Sequence, residues 1–234
     1  MARFAKSFLI DSDSKRLADW LSAAELNYYG QLRSAGRQQD WLCGRYAAKE
    51  LVSKYLIEIK IQTVERREIE IFSDPDDGPR VALAGRHMSE ICLSISHSAG
   101  TGFAGLTISE KEGRIGVDVQ KIRKPHPKLH ERILTLNEYA QLQQKHFDNS
   151  NNFDEGLILL WSLKESAYKA LQPVFKVAKA QLEVYLDPSS MSAEIAVIQK
   201  NQRGLLHAEY ERVGNFYYTH AIAAPHVVKN LTQD

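Results

Sequence analysis

Apolar residues fall three and four apart over residues 13–57, as Leu17, Trp20, Leu21 and Ala24, then around Trp41, Arg45, Ala48 and Leu51–Leu56. That period predicts helix, with uncertain breaks near Gly36 and Gly44. Glu68 to Phe72 alternates like a strand and stops at DPDDGP, a dense turn signal. Ile91, Leu93 and Ile95 alternate with Cys92, Ser94 and Ser96, which is strand periodicity. SHSAGTG then turns the chain into a second strand, Phe103 to Ser109, and EKEG into a third, Arg114 to Gln120. The three read as an antiparallel meander. On the third strand Gly116, Asp118 and Gln120 share the face opposite Ile115, Val117 and Val119. A meander would put Ser96 and His97 at the same edge as Asp118 and Gln120, one strand apart, roughly 10 Å.

Downstream, a helix is expected to start near Thr135, where Thr135-Leu136-Asn137-Glu138 has capping-box form. Another is expected over Asn152–Leu171, opened by Asn152-x-x-Glu155. Leu157, Leu160, Lys164, Tyr168 and Leu171 form one stripe of it, with Trp161, Glu165 and Lys169 on the next. Gln181–Leu186, Ala193–Val197, Leu205–Glu211 and Tyr217–Ala223 read as four strands. Helices then strands, twice over and without a short repeat or a long linker, predict an α+β fold of two similar halves.

With 234 residues, 44% hydrophobic and 25% charged, the chain has the material for a packed core. Thirty Lys and Arg balance 29 Asp and Glu, so bulk charge predicts neither a nucleic-acid nor an acidic-membrane partner. Cys43 and Cys92 lie far apart with no CxxC, which suggests neither a zinc ribbon nor a disulfide framework. MARFAKSFLI is too short and too soon followed by charge for a leader, and no run approaches a membrane span. A cytoplasmic location is expected.

Candidate chemistry gathers at a few positions. Asp118 lies within an apolar strand, and a carboxylate there is costly unless paired or bound to a cation. Glu165 beside Lys164 could complete an oxygen site for Mg²⁺. The residues alone equally allow Asp118 to end an edge strand in solvent and Glu165 to pair with Lys169 one turn on. His97 between two serines is a phosphate contact or, with Ser96 or Ser98 and Asp118, part of a hydrolase triad; the chain lacks a GxSxG elbow. His126 and His130 stand four apart but flank Pro127, against a helical metal pair. No Walker sequence is present.

Gly116-Val117-Asp118-Val119-Gln120 followed by Trp161-Ser162-Leu163-Lys164-Glu165-Ser166-Ala167-Tyr168-Lys169 resembles the paired signatures of 4′-phosphopantetheinyl transferases of the surfactin-synthetase-activating (Sfp) type. Ser94-Ile95-Ser96-His97-Ser98 resembles a third signature; Gly44-Arg45, Gly78-Pro79-Arg80 and the tail Tyr217–Pro225 resemble weaker elements. The resemblance implies transfer of the 4′-phosphopantetheine arm of coenzyme A to a serine hydroxyl of an apo acyl or peptidyl carrier protein, releasing 3′,5′-ADP. It implies a monomeric pseudo-dimer of halves 1–112 and 113–234, with coenzyme A and the active site in the cleft between them. Asp118 and Glu165, with Gln120 where many members carry a carboxylate, would hold Mg²⁺, with Mn²⁺ as an alternative. Lys164 and Lys169 would sit on the phosphates, and Arg45, Arg80, Ser96 and His97 would bind the 3′-phosphate side of the cofactor. Glu138 is the expected base for the serine, unless it only caps its helix. The acidic carrier would dock near Lys121–Arg132, which holds five cations against one glutamate. Two further readings are a coenzyme A or carrier-binding homologue without catalysis, supported by Gln120, and the Ser-His-Asp hydrolase.

Overall fold

A long helix laid on an antiparallel sheet forms the core of each of two units, Met1–Glu112 and Gly113–Asp234, in the computed structural model. It describes residues 1–61, 64–74, 78–143, 153–172, 174–198 and 204–232. The fold is α+β, as the alternation of helix and strand patterns predicts. Among the described residues no helix is long and apolar enough to cross a membrane.

The first unit runs β1 (Arg3–Phe8), α1 (Ser14–Leu17), α2 (Ala23–Gln31), α3 (Ala35–Glu58), β2 (Ile69–Asp74), β3 (Gly78–Leu83), β4 (Arg86–His87), β5 (Ile91–Ser98), β6 (Thr101–Ile108) and α4 (Ser109–Glu112). Its strands pair in the orders β1-β6-β5 and β2-β3-β4. Ala47, Ala48, Leu51, Val52 and Leu56 of α3 pack on Ile69, Ile71, Leu93, Ala104 and Leu106. Ser34 starts α3 by accepting a hydrogen bond from the Arg37 amide, so the helix begins just before Gly36. It runs unbroken through Gly44, where a side chain would press on Ile95 and His97.

The second unit runs β7 (Arg114–Lys121), α5 (Leu129–Ile133), α6 (Leu136–Gln143), α7 (Phe153–Leu171), β8 (Leu182–Asp187), β9 (Ser192–Val197), β10 (Leu205–Val213), β11 (Phe216–Ala223) and α8 (Pro225–Thr232). Its single sheet has the order β7-β11-β10-β9-β8. Leu159, Leu160, Leu163, Ala167 and Leu171 of α7 join Leu182, Ile195, Leu206, Tyr217 and Ala221 in one core. In both units the first strand pairs with the last, and three helices stand between the first strand and the rest.

The meander is corrected. β6 pairs with β5 on one side and with β1 on the other, from Arg3 opposite Leu106 to Phe8 opposite Thr101. β7 pairs with β11, from Arg114 opposite Ala223 to Lys121 opposite Phe216. Both edges of β6 are therefore taken within the first unit, and the 10 Å estimate built on β6–β7 pairing falls with it. Alternation shows that a strand exists but not which strand it meets. The hydrophobic pattern does not predict β1, α5 or α8. The Asn152 cap and most of the DPDDGP turn lie outside the described residues.

Helix and sheet come close enough for backbones to touch at one glycine in each unit. A Cβ on Gly102 of β6 would stand 2.2 Å from the Cys43 carbonyl oxygen of α3. A Cβ on Gly116 of β7 would stand 1.9 Å from the Ser166 carbonyl oxygen of α7. The obstructing atoms are backbone, so neither can yield without moving the helix. Gly102→Ala and Gly116→Ala are each expected to lower stability by about 3 kcal/mol, read as a lower urea midpoint with an unchanged m-value.

Candidate active site

α7 presents its apolar face to the sheet and carries the polar signature residues along the margin of that face. Asp118, on the middle of β7, is 2% exposed. Its Oδ1 accepts a hydrogen bond from Lys169 Nζ at 2.8 Å, and its Oδ2 accepts from Ser162 Oγ and from Gln120 Nε2, each at 3.0 Å. Lys169 Nζ also donates to the Val117 carbonyl at 3.0 Å. The two halves of the motif thus meet through Asp118, Ser162 and Lys169. Behind them Ser162, Ser166 and Thr219 form a buried hydroxyl network, with Ser166 Oγ donating to the carbonyls of Ser162 and Thr219.

Glu165, one residue past the buried Lys164, is directed to a different partner. Its Oε1 pairs with Lys179 Nζ at 2.5 Å. Lys179 opens a short 3-10 turn, Lys179–Gln181. Its ammonium stands over the rings of Trp161 at 4.6 Å and Tyr168 at 5.0 Å, where the ring faces attract a cation. Sequence reasoning missed Lys179.

The signal for it is an internal echo. Tyr46-x-x-Lys49-Glu50-x-x-x-Lys54 of α3 repeats the spacing of Trp161-x-x-Lys164-Glu165-x-x-x-Lys169 of α7. In the first unit Arg66, which opens the 3-10 turn Arg66–Glu68, pairs with Glu50 and lies 5.1 Å over the Tyr46 ring. Arg66 does for Glu50 and Tyr46 what Lys179 does for Glu165 and Trp161.

The echo extends to Glu138 and Lys164. Both side chains are fully buried, and Lys164 Nζ pairs with Glu138 Oε2 at 2.7 Å and donates to the Ile133 carbonyl. Glu138 Oε2 also caps α6 by accepting from the Thr135 amide, and its Oε1 accepts from the Val184 amide of β8. Glu25 repeats every contact: Oε2 with Lys49 and the Ser22 amide, Oε1 with the Ile71 amide of β2, and Lys49 donating to the Trp20 carbonyl. A repeated, closed contact set is a structural tie. Both side chains are thus taken up by contacts within their own unit. Burial pulls the pKa of both lysines down, and their glutamates act against it.

The expected cofactor residues of the first unit divide. Arg45 is buried, with its guanidinium 4.8 Å over the Trp41 ring and Nη1 donating to the Ile71 carbonyl at 2.7 Å; burial lowers its pKa against the pull of Glu25. His97 is exposed and joins Arg45, Tyr28, Trp41, Ser73 and Pro79 around a cavity of about 280 Å³. Ser96 is buried and sits on the opposite side of β5 from His97. Arg80 follows Pro79 on β3, half-buried. Arg45 and His97 are brought together; Ser96 and Arg80 do not line that cavity.

A family model described as the 4′-phosphopantetheinyl transferase superfamily matches residues 114–221. A holo-[acyl-carrier-protein] synthase of Oceanobacillus iheyensis is 30% identical over 104 residues, 44% of this chain and 86% of the relative. The chain belongs to the 4′-phosphopantetheinyl transferase superfamily. Two crystal structures of holo-[acyl-carrier-protein] synthases show fainter likeness. That of Thermotoga maritima has a TM-score of 0.34 at 16% identity, covering 47% of this chain and 62% of its own. That of Helicobacter pylori, in complex with coenzyme A, has a TM-score of 0.35 at 18% identity, covering 47% and 99%.

The donor chemistry around Asp118 fits the divalent cation that the resemblance implies. Asp118 and Glu165 are carboxylates on two packed elements, and Mg²⁺ takes one or two such ligands beside phosphate oxygens and waters. No three His, Cys, Asp or Glu side chains converge as a ready cage among the described residues, which Mg²⁺ does not need. Gln120 donates a hydrogen bond from its amide nitrogen to Asp118 Oδ2.

If Glu138 is a tie, Glu138→Gln and Glu25→Gln are expected to lose stability alike, by about 3 kcal/mol, measured by urea unfolding of each. A catalytic Glu138 would instead leave the fold nearly intact and abolish turnover.

Proposed function

We propose that this transferase-superfamily chain is of the Sfp type and moves the 4′-phosphopantetheine arm of coenzyme A to a serine hydroxyl of an apo acyl or peptidyl carrier protein. The observation that carries the reading is the meeting of Asp118 of β7 with Ser162 and Lys169 of α7. It joins both family signatures around one buried carboxylate. Two similar α+β units in one chain support the Sfp type and a monomer. The reading keeps a cytoplasmic location.

In the reaction the serine oxygen forms a bond to the phosphorus bearing the pantetheine arm. The bond from that phosphorus to the 3′,5′-ADP oxygen breaks, and the serine proton leaves with it or to solvent. Asp118 and Glu165 would hold Mg²⁺, or Mn²⁺, which when bound neutralises charge on the diphosphate. Lys169, on Asp118 and 27% exposed, supplies positive charge beside that carboxylate. Ser162 and Gln120 fix the Asp118 oxygens in place. Arg45 and His97 supply the cationic and donor side of the cavity that would take the 3′-phosphate end of coenzyme A.

The carrier protein, acidic on this reading, would approach the segment after β7. Lys121, Arg123, Lys124, Lys128 and Arg132 are all exposed there. Leu136, which opens α6, is 93% exposed. Fixed cations steering an acidic partner raise its encounter rate, an effect that salt screens over about 8 Å.

Intact mass of several apo carrier proteins, after incubation with this protein, coenzyme A and Mg²⁺, tests the reading. A gain of one phosphopantetheine arm that EDTA prevents is expected. Glu165→Gln should cut the rate by at least about 100-fold without changing the melting temperature. Full activity in that variant would remove Glu165 from the metal. Coenzyme A binding without any mass gain would favour the non-catalytic homologue that Gln120 suggests.

A second expectation concerns docking. Lys124→Glu with Lys128→Glu should raise KM for the carrier about tenfold at low salt while kcat stays within twofold. Equal KM for the variant and the wild type would move the docking surface elsewhere.

A further inference from the structure

Lys179 belongs to neither family signature, yet it holds a residue that does. Its ammonium lies against Glu165 Oε1 at 2.5 Å, and Trp161 and Tyr168 fix its position from one side. Lys179 is 26% exposed and Glu165 14%, so solvent screens the pair only in part. In the first unit the same place is filled by Arg66, which pairs with Glu50, donates to Tyr46 Oη at 3.1 Å and stands over the Tyr46 ring. The clamp is thus a property of the repeated scaffold, and the second unit carries it with a lysine.

That difference matters chemically. An arginine fork grips a carboxylate through several fixed donors, whereas a lysine is a point charge on a flexible stem. We infer that Lys179 is a positioning residue that competes with a divalent cation for Glu165 and so sets the metal affinity of the site. The inference rests on the reading of Asp118 and Glu165 as metal ligands.

Two effects of Lys179 oppose one another. It restricts the rotamers of Glu165, which favours any ligand that needs the carboxylate in one place. It also puts a positive charge on the same carboxylate that a doubly charged ion must share. Repulsion between an ammonium and a divalent ion a few ångströms apart in a partly dehydrated site outweighs the freedom of one side chain. Competition therefore wins. A phosphate group, being anionic, gives Lys179 an alternative partner. Metal and a phosphate-bearing co-substrate then assist each other's binding through the release of one ammonium.

Methionine at this place keeps an apolar stem between Trp161 and Tyr168 and removes the charge; arginine restores the fork that Arg66 provides in the first unit. Binding of Mn²⁺ to the full chain, followed by electron paramagnetic resonance with and without coenzyme A, distinguishes the cases. Lys179→Met should bind Mn²⁺ about tenfold more tightly than the wild type without coenzyme A, with a smaller further gain when coenzyme A is added. Lys179→Arg should bind Mn²⁺ more weakly than the wild type, and thermal melts of both variants check the fold. Unchanged or weaker binding in Lys179→Met, or tighter binding in Lys179→Arg, overturns the inference. So does an absence of Mn²⁺ binding in every protein. In that case the mass assay separates the readings, because transfer that EDTA still blocks leaves the transferase intact and removes only the metal from Asp118 and Glu165.

Discussion

One buried ion pair in each unit determines how its helices and hairpin meet. Glu25 receives the Ser22 amide at the start of α2, the Ile71 amide of β2 and the ammonium of Lys49 from α3. Lys49 in turn takes the carbonyl of Trp20. These two side chains thus tie the end of one helical turn, the start of the next, the long helix and the first hairpin strand. Glu138, Thr135, Val184, Lys164 and Ile133 repeat the tie. Replacing such a pair with apolar groups is often neutral for stability, while removing one partner leaves a charge buried and alone. Burial pulls both lysines' pKa down, against the pull of their glutamates. What the pair supplies is definition: one helix register and one strand height satisfy every donor and acceptor.

Part of this was legible in the sequence, and part was not. The Thr135-x-x-Glu138 cap was visible, but a cap explains only one of the Glu138 oxygens. The signal of a buried partner for that carboxylate was a lysine inside an apolar stripe, Lys164 with Leu157 and Leu160, and it took the meaning that family resemblance lent it. Lys49 between Ala48 and Leu51 carried the same clue without such a meaning. The long helices α3 and α7, the four late strands and the α+β class followed from period because their burial is one-sided. Strand partners did not, since β1 meets β6 across most of a unit's length. Lys179 was hidden for a related reason: the chain between α7 and the turn that carries it gives no periodic signal, so only folding brings it back to Glu165.

The two units share a scaffold, and their differences show where chemistry replaced packing. Aligning the repeated helix pattern sets Ser162 opposite Ala47 and Ser166 opposite Leu51. Ala47 and Leu51 are ordinary core residues, buried among aliphatic neighbours. Ser162 and Ser166 are equally buried but spend that place on hydroxyl bonds to Asp118 and Thr219. A helix–sheet contact gains nothing in hydrophobic stabilisation from such a strip, and each hydroxyl must be satisfied to avoid a penalty. Departures of this kind, locally unfavourable and fully satisfied, concentrate at functional sites.

The last lysine of the pattern follows the same logic. Lys54 is 64% exposed and makes a pair one turn back along α3, with Glu50. Lys169, at the matching place, leaves Glu165 and reaches across to Asp118. Asp118 can remain in the middle of an apolar strand only because that ammonium, a serine hydroxyl and an amide answer its charge. With Lys169 committed to Asp118, Glu165 requires a second cation, and the scaffold already offers one at the 3-10 turn. The charge pattern of the site, two carboxylates each matched to its own lysine, is therefore a consequence of placing one aspartate where the first unit has none: the fold's existing clamp supplies the balance.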